Sequence, residues 1–202
     1  MSPTGPTIAD VGEFPLISSL VRDLPSDPAV SVGPGDDGAV FLVDGSAVVS
    51  TDVLVEGVHF RRSWSSAQDI GRKSVAVNVA DIEAMGALPV ALVVGFSAPP
   101  ALPVAGAREF MTGLREESAA ARVSVVGGDT TAGPVVTVSI TVIGQTAGMA
   151  PVRRDGAVPG DLLAIRGRLG WAAAGLVVLG RGFRSPRAVV DAQRCPQVAY
   201  GA

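Results

Sequence analysis

The chain has 202 residues, 48% of them hydrophobic and 17% charged, with 25 glycines and 15 prolines. That length covers one full domain and the beginning of a second, and so large an apolar share argues against a disordered chain. A formal net charge of −3, with no block of lysine and arginine, argues against nucleic acid as a partner.

Met1 to Glu13 contains prolines and acids where a signal peptide would have a basic stretch and an apolar run, so no export signal is expected. Phe14, Ile17, Leu20, Val21 and Leu24 then recur at helical spacing, which predicts a helix over Gly12 to Leu24. Ala39 to Val43 and Ala47 to Val53 are short β-branched runs separated by Asp44-Gly45, a dipeptide favoured in two-residue turns; they predict a hairpin.

Ser65 or Ser66 is placed to cap a helix that runs to Met85, with Gly86 and Pro89 as stop signals. On that helix Val75, Val79 and Ile82 share one face, and Ser74, Asn78 and Asp81 fall on another that carries ligand-type oxygens. Lys73 reads as an ordinary solvent-facing lysine.

Leu88 to Phe96 reads as a buried strand, Pro103 to Ala121 as a helix, Val123 to Val126 as a strand running into Gly127-Gly128-Asp129, and Val135 to Ile143 as another strand. The uncharged stretch Met85 to Ala107 is long enough to raise the question of a membrane span. Pro89, Pro99, Pro100 and Pro103 interrupt it, so strand, loop and helix start are expected and no membrane partner.

Thr146 to Gly160 is rich in turn residues, which places a domain boundary near residue 150. Residues 1–150 form the first domain, and residues 151–202 the start of a second, with a strand at Leu162 to Arg166 and a helix at Gly170 to Leu179. Cys195 to Ala202 shows no closing element. Cys195 is also the only cysteine, which rules out an internal disulfide and suits a reducing cytoplasm.

The chemistry lies in aspartates that each follow an apolar run: Asp36-Asp37 in GPGDDG, Asp52 in VVSTD, Asp81 in NVADIEAMG and Asp129 in VVGGDTT. Carboxylates brought together repel one another unless a hard cation lies between them, and oxygen-only donors suit Mg²⁺. The bland alternative, that an aspartate beside a glycine is a turn residue, applies to each one singly and is the reading for Asp44. Gly33 to Gly38 matches the G-x-G-x-x-G pattern, but a strand-like AVFLV follows it where a dinucleotide site needs a helix. The chain contains no G-x-x-x-x-G-K-[ST], so bound ATP would be held through metals.

GPGDDGAVF, STDVLVEGVHF, GRKSVAVNVADIEAMGALP, VVGGDTT and RRDGAVPGD together resemble the thiamine-phosphate kinase family, within the group of ATP-using enzymes that includes aminoimidazole ribonucleotide synthetase. The resemblance implies an α/β (α+β) fold, a mixed sheet backed by helices, followed by the start of a second α+β domain. It implies several Mg²⁺ ions held by Asp36, Ser50, Thr51, Asp52, Asp81 and Asp129, with Asp37 behind them. ATP would be contacted by Gly128, Asp129 and Arg154, and thiamine phosphate by His59, the only histidine. No general base is implied. Phe110 is the one aromatic offered for the adenine, and a homodimer joined through the sheet is expected. Two other readings stay open: a fragment that binds Mg²⁺ and nucleotide or dimerises without turnover, and an enzyme of the same group with another acceptor.

Overall fold

The computed structural model describes residues 5–25 and 27–201. Its elements run α1 (Ile8–Val11), α2 (Glu13–Val21), β1 (Val30–Val32), β2 (Val40–Phe41), β3 (Ala47–Val55), α3 (Ala67–Ala84), β4 (Leu88–Ala98), α4 (Val104–Ala121), β5 (Ser124–Ala132), β6 (Thr137–Gln145), α5 (Trp171–Gly180) and α6 (Arg187–Arg194). Four strands make one sheet in the order β3-β6-β4-β5. β6 runs antiparallel to both β3 and β4, and β5 lies parallel to β4, joined to it by α4. This is the expected mixed sheet with helices against it.

Strict alternation decides which face meets the helices. Along β6, Val138, Ile140 and Val142 are buried, and Ser139, Thr141 and Ile143 between them are only half-buried. The buried row joins Leu54, Leu92, Val94 and Phe96 with Val75, Val79 and Ile82 of α3 and Ala107, Phe110, Met111 and Leu114 of α4 in one core. α3 and α4 lie close because Gly71 and Gly113 face the partner backbone; a Cβ at Gly113 would fall on the Gln68 carbonyl. The predicted α3 begins on a full capping box. Ser66 Oγ accepts from the N–H of Asp69, and the Asp69 carboxylate accepts from the N–H of Ser66.

Two expectations fail. The hairpin across Asp44-Gly45 does not form: β2 pairs with β1, whereas all nine residues of β3 pair with β6. The connection instead docks on the end of β6, where the N–H of Asp44 donates to Gln145 Oε1 at 2.8 Å and the N–H of Ser46 to Thr146 Oγ1 at 3.0 Å. Leu162 to Arg166 is not a strand either. It has no neighbouring strand among the described residues, and Leu162 and Leu163 are 95% and 101% exposed.

α6, which the periodicity of the sequence did not reveal, packs on α5 and inserts Val190 into the interior. The end of the chain is pinned as well: Tyr200 Oη donates to Glu117 Oε1 at 2.6 Å, and the N–H of Gly201 donates to Glu83 Oε1 at 2.9 Å. Among the described residues no helix is long and apolar enough to cross a membrane.

Candidate functional site

The acidic residues gather in two places. On β3, alternation turns Ser50 and Asp52 toward the helix layer. There Ser50 Oγ donates to Asp81 Oδ2 of α3 at 3.2 Å. One turn earlier on α3, Asn78 is fully buried; its Oδ1 accepts from the N–H of Asp52 at 2.9 Å, and its Nδ2 donates to the Ser74 carbonyl at 2.8 Å. The expected polar face of α3 is therefore real, but it divides its work. Ser74 and Asn78 are buried and bonded, and only Asp81 faces outward.

Thr51 lies between Ser50 and Asp52 and turns the other way. Its Oγ1 donates to the Ile140 carbonyl and accepts from Thr141 Oγ1, both at 3.0 Å.

The second place is the far edge of the sheet. Asp52 pairs with Ile140, Ile140 with Val94, and Val94 with Gly128, so one row crosses from edge to edge. Three strand spacings, about 14 Å, separate its ends. Gly128 and Asp129 there line a cavity of about 430 Å³ with the loop from Pro34 to Ala39, including Asp36 and Asp37. The rest of its wall, from α2, β4, α4 and β5, is apolar but for Thr130 and includes Phe14, Phe96, Phe110 and Met111. Gly128 has to be glycine, because a Cβ there would fall on the Val94 carbonyl.

Two of the aspartates that follow apolar runs do not end their strands. Asp52 and Asp129 lie within β3 and β5, paired with Ile140 and Gly95. The expected single cluster is not seen: among the described residues no three histidine, cysteine or acidic side chains are grouped to hold a metal ion. The loop at 33–38 leads into strand β2 with no helix, so the dinucleotide pattern is a coincidence of spacing.

His59 lies in the turn that follows β3, with its imidazole Nδ1 accepting from the N–H of Val55 at 3.0 Å. In the neutral ring the proton is thereby assigned to Nε2, which remains available to a ligand. Glu56 closes the same turn; its carboxylate accepts from Arg62 Nε at 2.7 Å and from the N–H of Val136 at 3.3 Å. Arg154 is exposed in a segment fastened to the end of α3, where the N–H of Val152 donates to the Met85 carbonyl at 2.8 Å. Its neighbour Arg153 is taken up by Asp155 at 2.9 Å. Sequence reasoning missed the clamp by Asn78; its signal was an amide one turn from Asp81 on a helix whose apolar face was already assigned.

The family model for the N-terminal domain of AIR synthase related protein matches residues 35–146. The thiamine-monophosphate kinase of Mycobacterium tuberculosis is 45% identical over 197 residues, 97% of this chain and 59% of that protein. Two solved structures are also similar. The thiamine-monophosphate kinase of Stenotrophomonas maltophilia superposes with a TM-score of 0.74 at 35% identity, over 85% of this chain and 54% of that one. AaThiL complexed with AMPPCP and TMP superposes with a TM-score of 0.67 at 27% identity, over 95% and 60%. The chain thus spans about three fifths of the length of the kinase from Mycobacterium tuberculosis.

Proposed function

The chain belongs to the AIR synthase-related family, and on that premise we propose that it is the metal- and nucleotide-binding portion of a thiamine-phosphate kinase, acting in the biosynthesis of thiamine diphosphate. The observation that carries the reading is the strand order β3-β6-β4-β5, which sets Asp52 on one edge strand of a single sheet and Asp129 on the other, the latter beside an apolar cavity. A nucleotide needs both an oily seat for its base and oxygen donors for the cations on its phosphates. Similarity to AaThiL complexed with AMPPCP and TMP supports ATP and thiamine phosphate as the substrates.

The donor set fits Mg²⁺ of a particular kind. One place offers two carboxylates, Asp52 and Asp81, and the other three, Asp36, Asp37 and Asp129, with hydroxyls or backbone beside them, short of an all-protein cage. Mg²⁺ is commonly held in that way, with phosphate oxygens and water completing the octahedron. Asp36, Ser50, Thr51, Asp52, Asp81 and Asp129 are the proposed ligands, Thr51 through backbone or after release of its hydroxyl from Ile140. Bound there, the ions would neutralise the charge of two anionic substrates and stabilise charge on the group in transfer.

The chain's own residues orient the reactants. Gly128, Asp129 and Arg154 are assigned to ATP, Phe110 to the wall beside its base, and His59 Nε2 to thiamine phosphate. In the reaction an oxygen of the acceptor phosphate forms a bond to the γ-phosphorus of ATP, and the bond from that phosphorus to the bridging oxygen breaks, leaving ADP. The acceptor oxygen is already anionic, so no general base is required.

A homodimer, a cytoplasmic location and a domain boundary near residue 150 complete the proposal. Support for the dimer comes from the sheet face turned away from the helices, where Val49 and Val53 are 61% and 46% exposed along one edge. The test is formation of thiamine diphosphate from thiamine phosphate and ATP with Mg²⁺, with Asp52→Asn as the blank. Product that depends on Asp52 supports the kinase. The partial overlap with the kinases favours a second reading, a portion that binds Mg²⁺ and nucleotide or dimerises without turnover. Mg²⁺-dependent nucleotide binding without product would favour that reading, and a chain that neither binds nucleotide nor dimerises would reject both.

A further inference from the structure

Lys73 is the residue of α3 for which the reaction has no use and which sequence reasoning left to solvent. The structure half-buries it. Its Nζ donates to the His59 carbonyl at 2.9 Å and to the Gln193 carbonyl of α6 at 3.2 Å, spanning 14 residues of chain in one direction and 120 in the other. An ammonium has three protons, and two are spent on carbonyls from different parts of the fold. Burial lowers its pKa from the usual lysine value, the environment of a cation drawn out of water to bridge two backbone groups.

A second cation makes the same connection independently. Arg184, in the loop between α5 and α6, donates through Nη2 to the Ser63 carbonyl at 3.3 Å. Two carbonyls of the β3 to α3 loop, those of His59 and Ser63, are thus held by cations linked to the 184–193 segment or belonging to it. The same loop bears the imidazole whose Nδ1 is already locked by the Val55 N–H. Its rigidity therefore depends at one end on β3 and at the other on α6.

We propose that Lys73 is a positioning residue that couples the His59 turn to α6, so that the orientation of the imidazole follows the docking of the 184–193 segment. This rests on the reading of His59 as the contact for thiamine phosphate, but the coupling itself does not. A docked α6 holds the Gln193 carbonyl in place, Lys73 is then fixed at both acceptors, and the His59 carbonyl is drawn toward α3. Undocking frees the lysine and loosens the turn.

His59 is the only histidine, so its ring protons are unambiguous in an NMR spectrum of the whole chain. Lys73→Met is expected to shift those resonances and to weaken thiamine phosphate binding about fivefold or more, while Lys73→Arg, which keeps the donors, stays near wild type. Val190→Asp, which places a charge at a buried position of α6, is expected to shift the His59 signals in the same direction; Val190→Ala does so more mildly if the aspartate variant does not fold. Combined with Lys73→Met, neither should add a further shift, because coupled sites are non-additive. His59 resonances unmoved by Lys73→Met, or shifts from Lys73 and Val190 that simply add, would overturn the coupling. Wild-type chain that does not bind thiamine phosphate, yet shows the coupled shifts, would sink the acceptor assignment and leave the coupling standing.

Discussion

Asn78 of α3 accepts a hydrogen bond from the backbone N–H of Asp52 on β3 at 2.9 Å. An edge strand has N–H groups with no strand partner, and here a buried amide supplies one, fixing Asp52 against the helix that carries Asp81. The Ser50 to Asp81 bond then closes the unit.

Asn78→Ala should destabilise the fold by about 1–3 kcal/mol, because it leaves a cavity and unpairs the Asp52 N–H. Urea unfolding measures the loss. If Asp52 is a metal ligand, the same variant should also bind Mg²⁺-nucleotide more weakly; a variant with unchanged unfolding midpoint would show that the clamp contributes nothing.

Gly71, like Gly113 opposite, marks a close approach of α3 to α4. A Cβ there would fall on the Phe110 carbonyl and come within 2.8 Å of the Leu114 nitrogen, both backbone atoms that cannot swing aside. Gly71→Ala should therefore cost about 1–3 kcal/mol despite alanine's better helix propensity, and should lower the melting temperature. A rise in melting temperature would mean that the helices part without cost.

Alkaline pH should weaken the attachment of the C-terminal segment. Burial, with Glu117 nearby, raises the Cys195 thiol from 9.0 to about 11, and burial with the hydrogen bond to Glu117 raises the Tyr200 hydroxyl too. Both keep their protons longer when folded: the stability contributed by Cys195 is complete below pH 9 and is lost as pH rises from 9 through about 11, and that of Tyr200 begins to be lost only above pH 10. Lys73, lowered by burial, works in the opposite sense just below 10.5. Urea midpoints between pH 8 and pH 11 should fall less steeply in Cys195→Ala than in wild type; parallel curves would remove Cys195 from the explanation.

The exposed β3 side of the sheet face turned away from the helices should carry the dimer. Val53→Asp puts a charge at the exposed, outward-facing edge of β3 and leaves the core contacts of Leu54 in place. Light scattering after gel filtration should give a dimer for wild type and a monomer for the variant, whereas a monomeric wild type would show that this face serves something else.

What could be read from the sequence was set by the range of each signal. α3 was legible because its capping box and the spacing of Val75, Val79 and Ile82 are local, and the Gly86 stop is local too. Asp44-Gly45 is also a local signal, but strand pairing is not. The alternation of β3 suits any partner, and its nine-residue register with β6, some 90 positions away, outweighed a five-residue hairpin. Leu162 to Arg166 has strand composition and no neighbour to pair with among the described residues. In the same way each acidic motif could be found, but their division between two sheet edges depends on the strand order β3-β6-β4-β5, which no motif encodes. Lys73 and Asn78 were the least legible, since their partners are backbone groups of distant residues.

Calorimetric titration of the chain with a non-hydrolysable ATP analogue, in Mg²⁺ and then in EDTA, bears most directly on the proposed site. Binding in Mg²⁺ that weakens by about 100-fold or more in EDTA, and comparably in Asp52→Asn and Asp129→Asn, is the expected result, since the carboxylates reach the phosphates only through cations. Equal affinity in Mg²⁺ and in EDTA, unaffected by either substitution, would contradict it.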